Sequence, residues 1–245
     1  MTLWTPSEKV TTHTVTTTHN KMRTKTLLLA AAAAVAGIAS LQAQSNVYSV
    51  NVVGYVNVTI PTGYSLIANP LNSSDNTVSN LFNATSQSGA ALGSTVYTWN
   101  GAGFIGNNND EFGGGWASPA QALPPGTGFF IKNPNAAYTN TFVGEVLTGN
   151  LTNNPVAGYS LIASKVPQAG FVADLGLSAG LGDTIYMWNG AGFIGINNDE
   201  FGGGWPPTAP FTVDNAKGQQ VGVAQSFFYK NIAGTATWVR NFTIP

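Results

Sequence analysis

The chain has 245 residues, with nine Lys and Arg, ten Asp and Glu, a formal charge of −1, two histidines and no cysteine. So few cations, with no basic run after residue 25, argue against nucleic acid and anionic lipid surfaces as partners, because clustered Lys and Arg supply most of that affinity. Lack of cysteine excludes disulfides and thiolate-held metals, so the fold has to rest on its packed core.

At the N-terminus, Lys21, Arg23 and Lys25 precede an apolar, alanine-rich run from Thr26 to Leu41 that ends near Ala43. A basic cluster, a short apolar core and small residues read as a secretory signal peptide over 22–43, cleaved after Ala43, with no membrane insertion of the exported chain. Residues 1–21 read as an upstream extension without a place in the fold, since Met22 is a conventional start. Both histidines, His13 and His19, lie upstream of that cleavage point, and nine acids then face five bases. The exported chain is mildly acidic and carries neither imidazole nor thiol, which leaves the common nucleophile–base arrangements without parts.

From Val47 to Ile60, apolar residues at Val50, Val52, Val56, Val58 and Ile60 alternate with polar ones, the period of a long strand. Gly54 inside it suggests a bulge or a close backbone approach. Pro61-Thr62-Gly63 turns the chain into a second strand, Tyr64–Ala68. The same pair returns as Phe142–Val146 and Gly158–Ala163, so the last strand of one copy is expected to be the first of the next. Ser74 and Asp75 are capping residues for a short helix through Phe82, and Gln168–Leu175 is its expected counterpart.

Val96–Trp99, then Asn100-Gly101, then Ala102–Ile105 predicts a hairpin, because Asn-Gly selects the tight turns that match strand twist. A two-residue loop sets Trp99 opposite Ala102 and Tyr97 opposite Phe104. Tyr97, Trp99 and Phe104 then share one face, and Val96, Thr98 and Ile105 the other. Further on, Gly128–Asn133 matches Ser226–Asn231, and Tyr138–Val143 matches Thr235–Val239, so each copy closes on a strand pair.

The eighteen residues from Trp99 to Trp116 recur from Trp188 to Trp205, with Ile196 in place of Asn107. A period this long means a repeated supersecondary unit. The chain therefore divides into a first repeat over 44–139 and a second over 140–245. Short strands punctuated by Gly, Pro and Asn predict an all-β fold of two tandem antiparallel repeats, sandwich or barrel in type, with pseudo-twofold symmetry. The motifs Gly-Tyr-x-Leu-Ile, Val-Tyr-x-Trp-Asn-Gly and Gly-x-Gly-Phe-Phe-Ile-Lys resemble secreted β-repeat proteins of environmental, verrucomicrobia-like bacteria. That resemblance covers nearly all of the exported chain and implies no activity and no site residues.

Site candidates come from the repeated loop. Asn109, Asp110 and Glu111, with Asn198, Asp199 and Glu200, concentrate oxygen acceptors of the kind Ca2+ takes, although without the spaced acids of an EF-hand. Solvated turn residues are the plainer explanation of the same composition. Trp99, Phe104, Phe112 and Trp116, with Trp188, Phe193, Phe201 and Trp205, are candidates for a sugar-stacking surface, with Asn108 and Asn197 beside them; of these rings Phe112, Trp116, Phe201 and Trp205, in glycine-flanked loops, are expected to be exposed. Trp99 and Trp188, on hairpins, are expected to fill the core instead. The sequence thus reads as a secreted, non-catalytic protein with a binding or structural role at a cell surface or matrix, with glycan as a candidate ligand. Two alternatives stand beside it. One is a polysaccharide hydrolase pairing acids such as Glu111 and Glu200 across the repeats, at the spacing of about 5 to 9.5 Å that glycoside hydrolysis needs. The other is a self-associating filament subunit that donates its first strand to a neighbour, although pairing of that strand within its own chain is the favoured outcome.

Overall fold

Alternating short strands and turns give an all-β chain in the computed structural model, which describes residues 52–82, 91–112 and 114–244. The predicted signal peptide and upstream extension lie outside the described residues, as does the start of the predicted first strand. Asn51–Pro245 clusters as one unit. Strands run in the order β1 (Val53–Ile60), β2 (Gly63–Ala68), then the single-turn helix α1 (Val78–Leu81). Next come β3 (Thr95–Trp99), β4 (Phe104–Asp110), β5 (Gly115–Trp116), β6 (Gly128–Asn133) and β7 (Tyr138–Glu145). The second half holds β8 (Gly149–Asn153), β9 (Gly158–Ala163), β10 (Gly170–Phe171), β11 (Leu177–Ser178), β12 (Thr184–Trp188) and β13 (Phe193–Asn197). It closes with β14 (Val213–Asp214), β15 (Gly218–Val221), β16 (Ser226–Asn231) and β17 (Thr237–Phe242).

One main sheet forms in each half, ordered β2-β6-β3-β4-β5 in the first and β13-β12-β16-β9 in the second. The pairings correspond: Val96 faces Ile131 as Ile185 faces Tyr229, and Leu66 faces Phe130 as Leu161 faces Phe228. A ribbon flanks each sheet, β1-β7 in the first half and β11-β17-β8 in the second. The expectation that one strand serves both halves is corrected here. β7 pairs back with β1, and a separate strand, β8, opens the second half by pairing with β17. Both ribbons close within the chain, β1 on β7 and β17 on β8 and β11.

β1 buries Ile60 and half-buries Val56 and Val58 on one face, as its period of two requires. Gly54 produces no bulge, since the register with β7 is continuous. Its partner Gly144 is the tight position: a Cβ there would lie 2.6 Å from the backbone of Asn72. The predicted first helix shrinks to one turn. Asp75 Oδ1 accepts from the Thr77 backbone N–H, and its other oxygen from the Thr77 hydroxyl, so the acid braces the turn before the helix. The second predicted helix is absent; Gly170–Phe171 instead pairs with β15, and turns come after it.

The hairpin is four residues long in its loop, not two. Trp99 faces Phe104 and Tyr97 faces Gly106, because the Asn100 side chain accepts from both Ala102 N and Gly103 N and Asn100 N donates to the Gly103 carbonyl. Asn189 builds the same loop before Phe193. Slipping the register by an even number of residues changes partners but keeps faces, so Tyr97, Trp99 and Phe104 still share one side.

Three apolar clusters result. Each half has its own, around Phe82, Phe129 and Phe142 in the first and Phe227, Tyr229 and Trp238 in the second. The third, Leu66, Phe130, Leu161 and Phe228, lies between the two sheets and takes Tyr97, Trp99, Tyr186 and Trp188 against it. Consecutive phenylalanines make this arrangement possible. On β6, Phe129 points into its own half and Phe130 into the junction, and Phe227 and Phe228 repeat the division on β16.

Candidate functional site

The repeated acidic loops fold as tight turns. Asp110 Oδ1 accepts from Phe112 N at 3.0 Å and Oδ2 from Gly114 N at 3.2 Å. Asp199 does the same for Phe201 and Gly203. Asn109 is buried and donates to the Ala91 carbonyl, and Asn198 donates to the Gly180 carbonyl. The exposed Asn108 accepts from Thr95 Oγ1, and Asn197 donates to Thr184 Oγ1. Glu111 and Glu200 are exposed, with their Cβ atoms beside Gly93 and Gly182 respectively, each in its own half. Among the described residues no three of His, Cys, Asp and Glu converge on a point that could hold a metal ion. Both carboxylate oxygens of Asp110 and of Asp199 are thus engaged in shaping the turn that carries them, as side chains of Asx turns are.

The aromatic candidates separate into two kinds. Phe112 and Phe201 are each 89% exposed at the loop tips. Trp116 and Trp205, expected to be exposed with them, are only 7% and 5% exposed. β5 pairs back onto β4, with Asn109 facing Trp116, which turns the indole inward to 5.8 Å from the Phe82 ring. In the second half the backbone N–H of Trp205 donates to the Asn215 carbonyl, and the indole packs against Gly218. A glycine-rich loop need not expose its aromatic neighbour when the chain leaving it returns to the sheet.

The aromatic surface lies at the junction of the halves instead. Trp99 Nε1 donates to the Tyr159 carbonyl at 3.1 Å, and Trp188 Nε1 to the Tyr64 carbonyl at 3.1 Å, so each hairpin is tied to the other half. The Trp99 ring meets Phe228 edge-on at 5.1 Å, and Trp188 meets Phe130 at 5.2 Å. Phe104 touches both Phe130 and Phe228, and so does Phe193. Edge-to-face pairs of this kind contribute about 0.5–1.5 kcal/mol each beyond their buried area.

Phe104 and Phe193 remain partly exposed, at 44% and 39%, and form a ridge between two open clefts. One, of about 330 Å3, is walled by Tyr64, Tyr97, Phe130 and Trp188. The other, of about 380 Å3, is walled by Trp99, Tyr159, Tyr186 and Phe228. Lys132 lies 5.8 Å over the Tyr64 ring and Lys230 5.8 Å over Tyr159, placing one cation beside each cleft. Burial, and then the neighbouring Tyr159 hydroxyl, push the Tyr186 hydroxyl above its ordinary pKa, so it stays a neutral hydrogen-bonding group at physiological pH. Among the described residues no carboxylate lines either cleft.

Tyr64, Tyr159, Phe130 and Phe228 were not among the sequence-derived site residues. Their signal was the duplicated Gly-Tyr-Ser-Leu-Ile-Ala and Phe-Phe strands, legible as repeats but not as surface. No family model, no curated protein and no solved structure matches this chain. Among the described residues no helix is long and apolar enough to cross a membrane.

Proposed function

We propose that the chain is an exported, non-catalytic β-repeat protein that binds carbohydrate chains at a cell surface or in a matrix, using the paired aromatic clefts astride Phe104 and Phe193. The observation that carries this reading is the pair of equivalent clefts walled by Tyr, Phe and Trp with no acid in either. Exposed aromatic faces stack on the C–H faces of sugar rings, and rim hydroxyls and ammonium groups supply the hydrogen bonds that orient them. Contiguous apolar surface of this sort marks interaction sites. Two matching clefts also suit a repeating polymer, since a chain that spans both gains affinity through effective concentration.

The carboxylates support binding over hydrolysis. Asp110 and Asp199 are held by backbone N–H groups, and Glu111 and Glu200 lie in the separate loops of their own halves. The test is a glycan array with the wild-type chain, run with and without chelator, and with Phe104→Ala/Phe193→Ala. Chelator-independent binding lost in the double variant supports the proposal. Binding that survives the double variant, or no binding to any glycan, overturns it.

A further inference from the structure

The second half contains a polar cleft apart from the aromatic junction. Its volume is about 590 Å3, within the range of small-molecule sites, and its walls include Ser178, Asn198, Trp205, Asn215 and Lys217. It opens between the turn after β10 and the segment after Trp205.

Two of these side chains are more than nine-tenths buried yet carry polar atoms with no partner. Trp205 is 5% exposed, and its indole N–H makes no hydrogen bond among the described residues. Trp205 borders the cleft. Asn198 spends its amide N–H on the Gly180 carbonyl at 2.8 Å, leaving Oδ1 free as an acceptor beside the same space. At the equivalent position of the first half, Asn109 Oδ1 is also without a partner but closed off from solvent. There Phe82 packs on Trp116.

A donor and an acceptor that border a cleft without a protein partner among the described residues are open to groups that enter it. Ser178 adds a hydroxyl at the exposed rim. Lys217 brings the one charged side chain of the lining, and Asp174 compensates it at 3.1 Å while Phe171 lies under the ammonium at 5.9 Å. The cleft therefore offers donors and acceptors in mixture without net charge. Hydroxyl groups, which both donate and accept, match that lining, whereas an anion finds no unpaired cation.

We infer that this cleft binds one neutral sugar unit, with Trp205 Nε1 donating to and Asn198 Oδ1 accepting from its hydroxyls. The inference shares the carbohydrate chemistry of the function proposed above but uses a different site, so the two stand or fall separately.

Titration of 15N-labelled protein with neutral methyl hexopyranosides and N-acetylhexosamines, followed through the indole N–H resonances, tests it. Trp205→Phe assigns the resonance, and Ala216→Phe, at an exposed position of the lining, plugs the cleft without touching the core. The expected result is a saturable shift of the Trp205 resonance that Ala216→Phe weakens at least about tenfold, the loss expected when a pocket's contacts are blocked. Shifts confined to Trp99 and Trp188 would overturn this inference while leaving the paired clefts as the binding face. A Trp205 shift unaffected by the plug, or no shift of any indole, would also overturn it, the second leaving the glycan array to decide the broader reading.

Discussion

Gly128 and Ser226 are equivalent first residues of β6 and β16, and they meet where the halves join. A Cβ on Gly128 would sit 2.7 Å from the Ser226 Cβ and 3.0 Å from Leu161. Ser226 Oγ meanwhile donates to the Ile67 carbonyl at 2.8 Å, and Ala68 N reaches the Ala224 carbonyl just before it. There is room for one side chain at this crossing, and the second half supplies it. Gly128→Ala is expected to lower stability by about 1–3 kcal/mol through overpacking. Gly128→Ser with Ser226→Gly exchanges the two occupants and is expected to recover at least half of the loss seen in Gly128→Ser alone. Denaturant unfolding of the three variants measures both effects, and a double variant no better than the single would show that the crossing is not the cause.

The reciprocal tryptophans join the halves. Trp99→Ala and Trp188→Ala each remove an edge-to-face contact with the opposite half and a hydrogen bond to its backbone. A loss of about 3 kcal/mol is expected for each, at the low end for such truncations because both rings are only half-buried. Trp99→Phe, which keeps a ring but loses the N–H donor, should cost about 1 kcal/mol. Because the junction cluster belongs to both halves, calorimetry of the wild type should show one cooperative transition.

Asp183 is buried and accepts from the Tyr229 hydroxyl, Gly180 N and Ile232 N. Asp183→Asn keeps the shape but replaces one acceptor oxygen with a donor that faces donors. The expected loss is about 2 kcal/mol, the penalty of unsatisfied buried groups, and Tyr229→Phe should lose less because its partner keeps two backbone donors. Chemical denaturation separates the two; equal losses would contradict the assignment.

Among the described residues three tyrosines resist ionisation in the folded chain. Burial pushes Tyr138 up to about 12, and burial followed by the Asp183 carboxylate pushes Tyr229 up as well. Tyr186 moves in the same direction. A group whose folded pKa is raised contributes stability that is intact below the unfolded value near about 10 and is lost as pH climbs toward the folded value. Stability should therefore be level from neutral pH to about 9 and fall as pH rises above about 10. Ultraviolet titration should show part of the phenolate signal appearing only with unfolding; a single ordinary titration of every tyrosine would refute this.

The loop acids provide a further check. Asp110→Ala and Asp199→Ala each remove two backbone partners from a turn and should cost about 1 kcal/mol apiece. Addition of Ca2+ or of chelator should leave the melting temperature of the wild type unchanged, whereas a calcium-dependent rise would restore these acids as ligands.

The amino-acid order alone determined what is local. Alternation made β1 a strand with Ile60 inward, Asn-Gly placed a hairpin after Trp99, and an even-numbered loop kept Tyr97, Trp99 and Phe104 on one face whatever its length. The duplication of Trp99–Trp116 was open to reading in the same way. The destination of those faces was decided only by tertiary structure. Trp116 turns inward because its strand pairs back onto β4 and Trp205 because its backbone bonds to the later Asn215, and the hairpin aromatics meet across the junction because β6 and β16 carry one phenylalanine toward each side. Periodicity states which residues point together. What they point at depends on contacts between segments as far apart in the chain as Tyr64 and Trp188, and no local pattern encodes those.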